Sequence, residues 1–148
     1  MSHENSPRHI LVASCMIRNE ANEILLVKHY QRDWELPQGR VELGEALLEG
    51  LHREVYEETG IRIDAPRLAT VWSKLSEPNA VIFCFIADYL SGELTPSEET
   101  PELGWFPDME ARAMITHPVN HDRIRALLDN PGTLEFKSYR TGPYQKLS

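Results

Sequence analysis

The sequence predicts an α/β (α+β) fold in which a mixed β-sheet is sandwiched between α-helices. Apolar strand-like segments and helix-forming segments follow one another in the order strands, helix, strands, helix. The 148 residues, 41% of them hydrophobic, suffice for a core that needs no metal ion or disulfide to fold. Because no repeat or low-complexity tract divides the chain, we expect one domain over residues 1–148.

The beginning of the chain predicts a β-hairpin. Residues 9–17 are rich in Ile, Leu and Val and predict the first strand, and residues 24–27 predict the second. Residues 19–23, between them, are turn-like.

Residues 45–59 predict the first helix, because most of them are helix formers. Gly60 has the position of a glycine that follows a helix C-terminus, where the left-handed backbone conformation is common. The sequence Asp-Ala-Pro at residues 64–66 comes next and is expected to block continuation.

The second half of the chain predicts three strands and a helix. Residues 67–72, 80–89 and 103–106 predict strands, the second of which is a nearly continuous apolar run expected to be buried on both faces. Residues 91–102 are rich in Pro, Ser and Glu and predict a surface loop. Residues 121–129 carry apolar side chains at helical spacing and predict the second helix.

Composition narrows the class of partner and the compartment. The formal charge of −8 disfavours binding to a long nucleic acid but is compatible with a small phosphorylated ligand held through a cation. No segment approaches the roughly 20 apolar residues needed to cross a bilayer, so no membrane partner is expected. Cys15 and Cys84 lie in apolar runs and predict buried thiols, which suggests a reducing, cytoplasmic location.

The first helix carries an acidic face. At about 100° per residue, Glu54, Glu57 and Glu58 share one arc, while Leu48, Leu51 and Val55 form a separate stripe that is expected to pack on the sheet. Taken alone, such a run of glutamates is usually a solvated face. Like charges at this spacing also destabilise a helix, so a compensating cation is favoured, and oxygen ligands suit Mg²⁺ or Mn²⁺.

Residues 39–61 match a known signature position for position. Its elements are Gly39, five residues, Glu45, seven residues, Arg53-Glu54, Val55, any residue, Glu57-Glu58, any residue, and Gly60-Ile61. The segment resembles the Nudix box of the Nudix hydrolases, and the resemblance implies the Nudix fold. The sequence Trp-Glu-Leu-Pro at residues 34–37 leads into the box, and Gly-Trp-Phe at residues 104–106 follows the acidic loop, as it often does in that family.

The resemblance implies Mg²⁺-dependent (or Mn²⁺-dependent) hydrolysis of a diphosphate linkage in a nucleoside diphosphate derivative. It assigns Glu54, Glu57 and Glu58 as metal-binding and catalytic carboxylates, and the main-chain carbonyl of Gly39 as a metal ligand. The glutamate that acts as general base varies within the family, and we expect Glu54 to do so here. Glu99, in the loop before Trp105, is expected to supply a further catalytic carboxylate, with Glu98 and Glu102 as competitors and a solvated acidic loop as the alternative interpretation.

Two residues in the box have expected supporting roles. Arg53 is spaced to pair with Glu57 at i, i+4 and hold its rotamer. Glu45 is expected to order the loop and the start of the helix rather than to bind metal.

The substrate stays open. Many family members have Pro-Gly-Gly where this chain has Pro37-Gln38-Gly39, and the Gln form resembles members that act on dinucleoside polyphosphates or the 5′ end of RNA. A dinucleoside polyphosphate, ADP-ribose or another nucleotide sugar, and a damaged nucleoside triphosphate are all candidates. The alternative function is a non-catalytic nucleotide-sensing module that uses the same fold without turnover.

Substrate-binding candidates outside the acidic helix are weaker. Trp34 is expected to stack a base, and Lys28, Arg32 and Arg40 to meet phosphates, although core packing or solvated charge explains each of them at least as well. The sequence leaves open whether the chain forms a homodimer and what residues 133–148 do.

Overall fold

A computed structural model describes residues 6–148. The strands are β1 (Ile10–Arg18), β2 (Ile24–Lys28), β3 (Trp34–Glu35), β4 (Gln38–Arg40), β5 (Ile61–Lys74), β6 (Ala80–Gly92), β7 (Glu102–Phe106), β8 (Glu135–Arg140) and β9 (Gln145–Lys146). The helices are α1 (Leu47–Thr59), α2 (Asp108–Met114) and α3 (Pro118–Asp129). Among these described residues, no helix is long and apolar enough to cross a membrane.

The strands form one mixed sheet in the order β3-β2-β1-β6-β5-β8-β9, with β4 paired to β1 and β7 paired to β2. The β1–β6 and β5–β8 pairs are parallel, and the other pairs are antiparallel. Strand β1 therefore lies at the centre, with β6 on one side and β2 and β4 on the other.

Side chains that alternate along the central strands form two separate cores. On one face, Cys15 and Phe85 pack with Leu51 and Val55 of α1. The opposite face packs against α2 and α3, in a cluster that includes Met16, Trp72, Ile82, Ile124 and Leu127. The sheet is thus sandwiched between helices, which confirms the predicted fold class.

Helix α1 confirms most of its predicted features. It ends at Gly60, which has φ of 80° and donates its backbone N–H to Tyr56. Leu51 and Val55 are buried, as predicted, but Leu48 is 47% exposed and the expectation that it packs on the sheet was wrong. Leu48 has the same angular position as Val55 but lies in the first turn, so position along the helix axis decides its exposure.

Strand β5 is longer than the strand predicted at residues 67–72. The strand begins at Ile61, directly after Gly60, and the Asp-Ala-Pro segment lies at an irregularity within it rather than before it. Ala65 there has φ of 49°, which lets the strand accommodate Pro66 at a break in the pairing register.

Several other boundaries also differ from the prediction. Helix α3 begins at Pro118 rather than at residue 121, because proline is tolerated in a first turn. The predicted loop at 91–102 is shorter, since β6 extends to Gly92 and β7 begins at Glu102. Strands β3, β4, β8 and β9 and helix α2 were not predicted; all but β8 and α2 are only two or three residues long.

Candidate active site

A cleft of about 640 Å³ opens where β1, β4, β6 and α3 meet the second half of α1. Carboxylates lie along one part of its lining, namely Glu35, Glu54, Glu58 and Glu99. Apolar side chains from β1 and β6 and polar groups from α3 and β8 line other parts. The cleft thus combines acidic and apolar surfaces, as ligand-binding sites of enzymes commonly do.

Gly39 allows α1 to lie against β4. A Cβ atom at residue 39 would come within 2.1 Å of the Glu54 carboxyl carbon, a distance shorter than Cβ atoms show in real structures. Only glycine therefore fits at this point with the present position of Glu54. The two residues named from the signature, Gly39 and Glu54, are brought together although they are distant in sequence.

Arg53 organises the outer carboxylates. Its guanidinium donates to Glu45 at 2.7 and 2.8 Å, to Glu54 at 3.0 Å and to Glu57 at 3.2 Å. The contact with Glu57 confirms the predicted i, i+4 pair. Hydrogen bonds from Arg53 and from the Glu42 backbone lower the pKa of Glu45 to about 2, so that Glu45 ties the loop to the helix.

Glu58 has a different environment. It is 6% exposed, and its Oε1 accepts a 2.7 Å hydrogen bond from the backbone N–H of Gln38. Burial raises its pKa to about 8, and the charges of Glu54 and Glu35 add to the rise. Within residues 6–148, no lysine or arginine forms an ion pair with this carboxylate.

The environment of Glu54 combines features of those of Glu45 and Glu58. Burial raises its pKa although the hydrogen bond from Arg53 opposes the rise. The negative charges of Glu57 and Glu99 contribute in the same direction as burial. Two adjacent carboxylates, Glu54 and Glu58, are thus both less easily ionised than a carboxylate in water.

A third buried carboxylate, Glu35, was not predicted as part of the site. It is 1% exposed and accepts hydrogen bonds from Arg32 at 2.8 Å and from Gln38 and Asn120 at 3.2 Å. The side chain of Gln38 also accepts a 2.8 Å hydrogen bond from Arg123. No local sequence pattern signals these contacts, apart from the unusual Gln in the Pro-Gln-Gly segment.

The structure places the other predicted site residues unevenly. Glu99, Arg32 and Arg40 line the cleft, whereas Lys28 and Trp34 lie outside its lining. Lys28 pairs with Glu102 at 3.6 Å, and the Trp34 ring packs edge-on against Phe106. Glu57 is also outside the lining, with 60% of its side chain exposed.

The donor set fits a hard divalent cation. Carboxylate oxygens are the ligands that Mg²⁺ and Mn²⁺ prefer, and the buried Glu58 forms no ion pair within residues 6–148. In the present rotamers, no three His, Cys, Asp or Glu side chains of residues 6–148 converge as a ligand set. Glu54 and Glu57 are turned to Arg53, and Glu58 to the Gln38 backbone, so convergence requires rotation of these side chains.

Comparison with known proteins places this site in a family. The chain is 30% identical over 143 residues to a Bacillus subtilis protein described as the uncharacterized Nudix hydrolase YvcI, covering 93% of this chain and 90% of that protein. It is 34% identical over 104 residues to the 8-oxo-dGDP phosphatase NUDT18 of Homo sapiens, and 37% identical over 100 residues to the NAD-capped RNA hydrolase NudC of Chromobacterium violaceum. These last two matches cover 65% and 66% of this chain, which spans only 32% and 37% of the two relatives.

The fold comparison agrees. The crystal structure of the mutator protein MutT from Bacillus halodurans superposes with a TM-score of 0.82 and 26% sequence identity. The superposition covers 94% of this chain and 95% of that one. A family model described as the NUDIX domain matches residues 8–128, most of the sequence. The chain therefore belongs to the NUDIX family.

Proposed function

We propose that this chain is a Mg²⁺-dependent or Mn²⁺-dependent pyrophosphohydrolase that cleaves a diphosphate linkage in a nucleoside diphosphate derivative. The observation that carries the proposal is the pair of adjacent carboxylates, the partly buried Glu54 and the buried Glu58, in a cleft large enough for a nucleotide. A bound divalent cation supplies charge neutralisation for the diphosphate and lowers the pKa of the attacking water.

The residues of α1 then have separate tasks. Glu58, Glu57 and Glu54, together with the Gly39 carbonyl, would hold the cation. Glu54 accepts the proton of the attacking water, a role that suits a carboxylate whose pKa is raised by burial. Arg53 holds Glu54 and Glu57 while no cation is bound, and Arg32 and Arg40 line the cleft where they can meet the phosphates.

The substrate is a small nucleotide. One relative is named for 8-oxo-dGDP and another for NAD-capped RNA, and both names describe hydrolysis of a nucleotide derivative. The substrate set for this chain is a dinucleoside polyphosphate, ADP-ribose or another nucleotide sugar, or a damaged nucleoside triphosphate. We also propose a cytoplasmic location, which the free, buried thiols of Cys15 and Cys84 support.

The test of this proposal is a substrate panel with Mg²⁺ or Mn²⁺, in which nucleoside monophosphate, phosphate and pyrophosphate are measured separately. We expect hydrolysis that stops in EDTA, returns with added cation, and increases with pH through about 8. The increase follows because the attacking water must lose a proton and because Glu58, whose pKa without metal is raised to about 8, binds a cation more readily once it is ionised.

Undiminished hydrolysis by EDTA-treated, metal-free protein would contradict the metal-dependent mechanism. Nucleotide binding without hydrolysis of any substrate in the panel would instead support the sensing module considered above.

Glu57→Gln and Glu58→Gln test whether the helix carboxylates act in turnover. We expect each variant to lower kcat by at least about a hundredfold, the scale for loss of a metal ligand or a positioned proton acceptor. Glu110→Gln, which changes an exposed acid of α2, is the activity control and is expected to leave kcat unchanged.

Glu57→Gln and Glu58→Gln are expected to differ in thermal stability. The pKa of Glu58 is raised from 4.5 to about 8, so the folded protein binds more protons than the unfolded chain in that range and loses stability as pH rises. In EDTA, Glu58→Gln is therefore expected to raise Tm relative to wild type progressively between pH 5 and pH 9. Glu57→Gln lacks this trend because its side chain is largely exposed. Normal kcat with a large loss of Tm would mean that these acids are structural.

Glu99 is tested against its two neighbours in sequence. Glu99 lines the cleft, whereas Glu98 is an exposed side chain and Glu102 pairs with Lys28. We expect Glu99→Gln to reduce kcat or weaken Mg²⁺ activation by at least about tenfold, the scale seen for residues that support metal ligands. Glu98→Gln and Glu102→Gln are expected to be close to wild type. Equal kinetics for all three variants would remove Glu99 from the site.

A further inference from the structure

The C-terminal hairpin, defined as residues 135–146, lies outside the segment matched by the NUDIX family model. Its first strand, β8, extends the sheet by parallel pairing with β5, and β9 folds back on β8. This arrangement buries Tyr139 to 2% exposure and brings it into the lining of the cleft. The hairpin thus contributes a side chain to the site although the family match ends before it.

Tyr139 is held on both sides by aromatic rings. Trp72 and Tyr144 contact its ring edge-on, with centroids 6.1 and 5.9 Å away. Its hydroxyl accepts a 2.9 Å hydrogen bond from Nη2 of Arg123 on α3. The hairpin therefore fixes the position of a guanidinium group in the cleft.

Arg123 is unusual among the arginines that line or border the cleft. It is 8% exposed, and its two hydrogen bonds go to neutral acceptors, the Tyr139 hydroxyl and the Gln38 amide oxygen. In the chain from residue 6 onward it forms no ion pair, whereas Arg53 and Arg32 are paired with carboxylates. A buried, unneutralised guanidinium is costly unless a further acceptor reaches it.

Arg123 also keeps unused donors. Its buried Nε has no hydrogen-bond partner among residues 6–148, and Nη1 and Nη2 each donate one hydrogen bond although each carries two hydrogens. Because Arg123 lines the cleft, a ligand there can accept from the remaining hydrogens of Nη1 and Nη2. These are the properties of a recognition residue rather than of a solvated surface charge.

The apolar lining of the cleft indicates which part of a nucleotide Arg123 meets. Ile10, Ala80, Ile82 and Val119 line the same cleft and belong to, or pack on, the core cluster that contains Tyr139. Apolar walls around a buried guanidinium suit a planar base, whereas a phosphate requires several donors and water. The acidic helix is in any case the place for the diphosphate under the proposed function.

We propose that Arg123, fixed by the C-terminal hairpin, is a specificity-determining residue that donates to the carbonyl edge of the substrate's nucleobase. This inference rests on the proposed function only in placing a nucleotide in the cleft. A 6-oxopurine such as guanine offers two acceptors, O6 and N7, on one edge, and arginine matches them with two N–H groups. Adenine offers an amino donor in place of O6, which leaves two donors facing each other.

The experiment measures binding of guanosine monophosphate and adenosine monophosphate to the full chain by calorimetry. We expect wild type to bind guanosine monophosphate at least about tenfold more tightly, on the scale of one bidentate base contact. Arg123→Met is expected to reduce the ratio to within about twofold, mainly by loss of guanosine monophosphate affinity. Tyr139→Phe, which removes only the hydroxyl acceptor, is expected to reduce the ratio partially. Arg112→Met, at an arginine paired with Asp129 outside the cleft lining, is the matched control and should leave the ratio unchanged.

Equal affinities for the two monophosphates in wild type, or an unchanged ratio in Arg123→Met, would overturn the assignment. A parallel loss of both affinities would assign Arg123 to the phosphate instead and would overturn it as well. If Arg123→Met does not fold, the affinity ratio of wild type and that of Tyr139→Phe still test the proposal. Tyr139→Phe keeps the aromatic ring at residue 139 and the positive charge of Arg123. Absence of hydrolysis in the substrate panel contradicts the proposed function, whereas loss of base preference contradicts this inference.

Discussion

The contact between α1 and the three-residue strand β4 is the constraint on which the rest of the site depends. Each residue of β4 meets a different member of the helix: the Gln38 backbone N–H binds Glu58, Gly39 abuts Glu54, and the Arg40 carbonyl accepts from Arg53. A side chain at residue 39 would displace the Glu54 carboxylate from its present position. Because β4 also pairs with β1, the acidic helix is fixed to the centre of the sheet.

As a result of this contact, the carboxylates of α1 and its preceding loop differ in whether a positively charged side chain balances them. Arg53 balances the outer acids, Glu45, Glu54 and Glu57, and holds them in one network. Among residues 6–148 Glu58 has no ion-pair partner, and burial raises its pKa to about 8, so its ionised form is favoured only when a cation enters the cleft. At the same time Gln38 connects the acids to Arg123 and the C-terminal hairpin through its side chain. The residue that departs from the common Pro-Gly-Gly segment thus links two parts of the cleft.

The sequence predicted what depends on local periodicity and on the signature segment. The sandwich of helices around a mixed sheet follows from the order of strand-like and helix-forming segments along the chain. The end of α1 before Gly60 and the Arg53–Glu57 pair follow from spacing within one segment. The structure also brings Glu54, Glu58 and Glu99 to one cleft, although their roles remain predictions. The parts that sequence reasoning missed, above all Glu35, Arg123 and Tyr139, join residues far apart in the chain. The Gln38–Arg123 bond, for example, spans 85 positions, and no local pattern reports such a pairing.

The central claim is that the uncompensated acids of the cleft bind a divalent cation before any substrate is present. Titration of wild type and Glu58→Gln with Mn²⁺ at pH 8.5 tests it directly. Binding is measured as loss of the electron paramagnetic resonance signal of the free ion. The account predicts that wild type binds Mn²⁺ and that Glu58→Gln weakens the affinity by at least about tenfold, whereas Glu110→Gln does not. Superimposable isotherms for wild type and Glu58→Gln, or no Mn²⁺ binding by wild type, would contradict it.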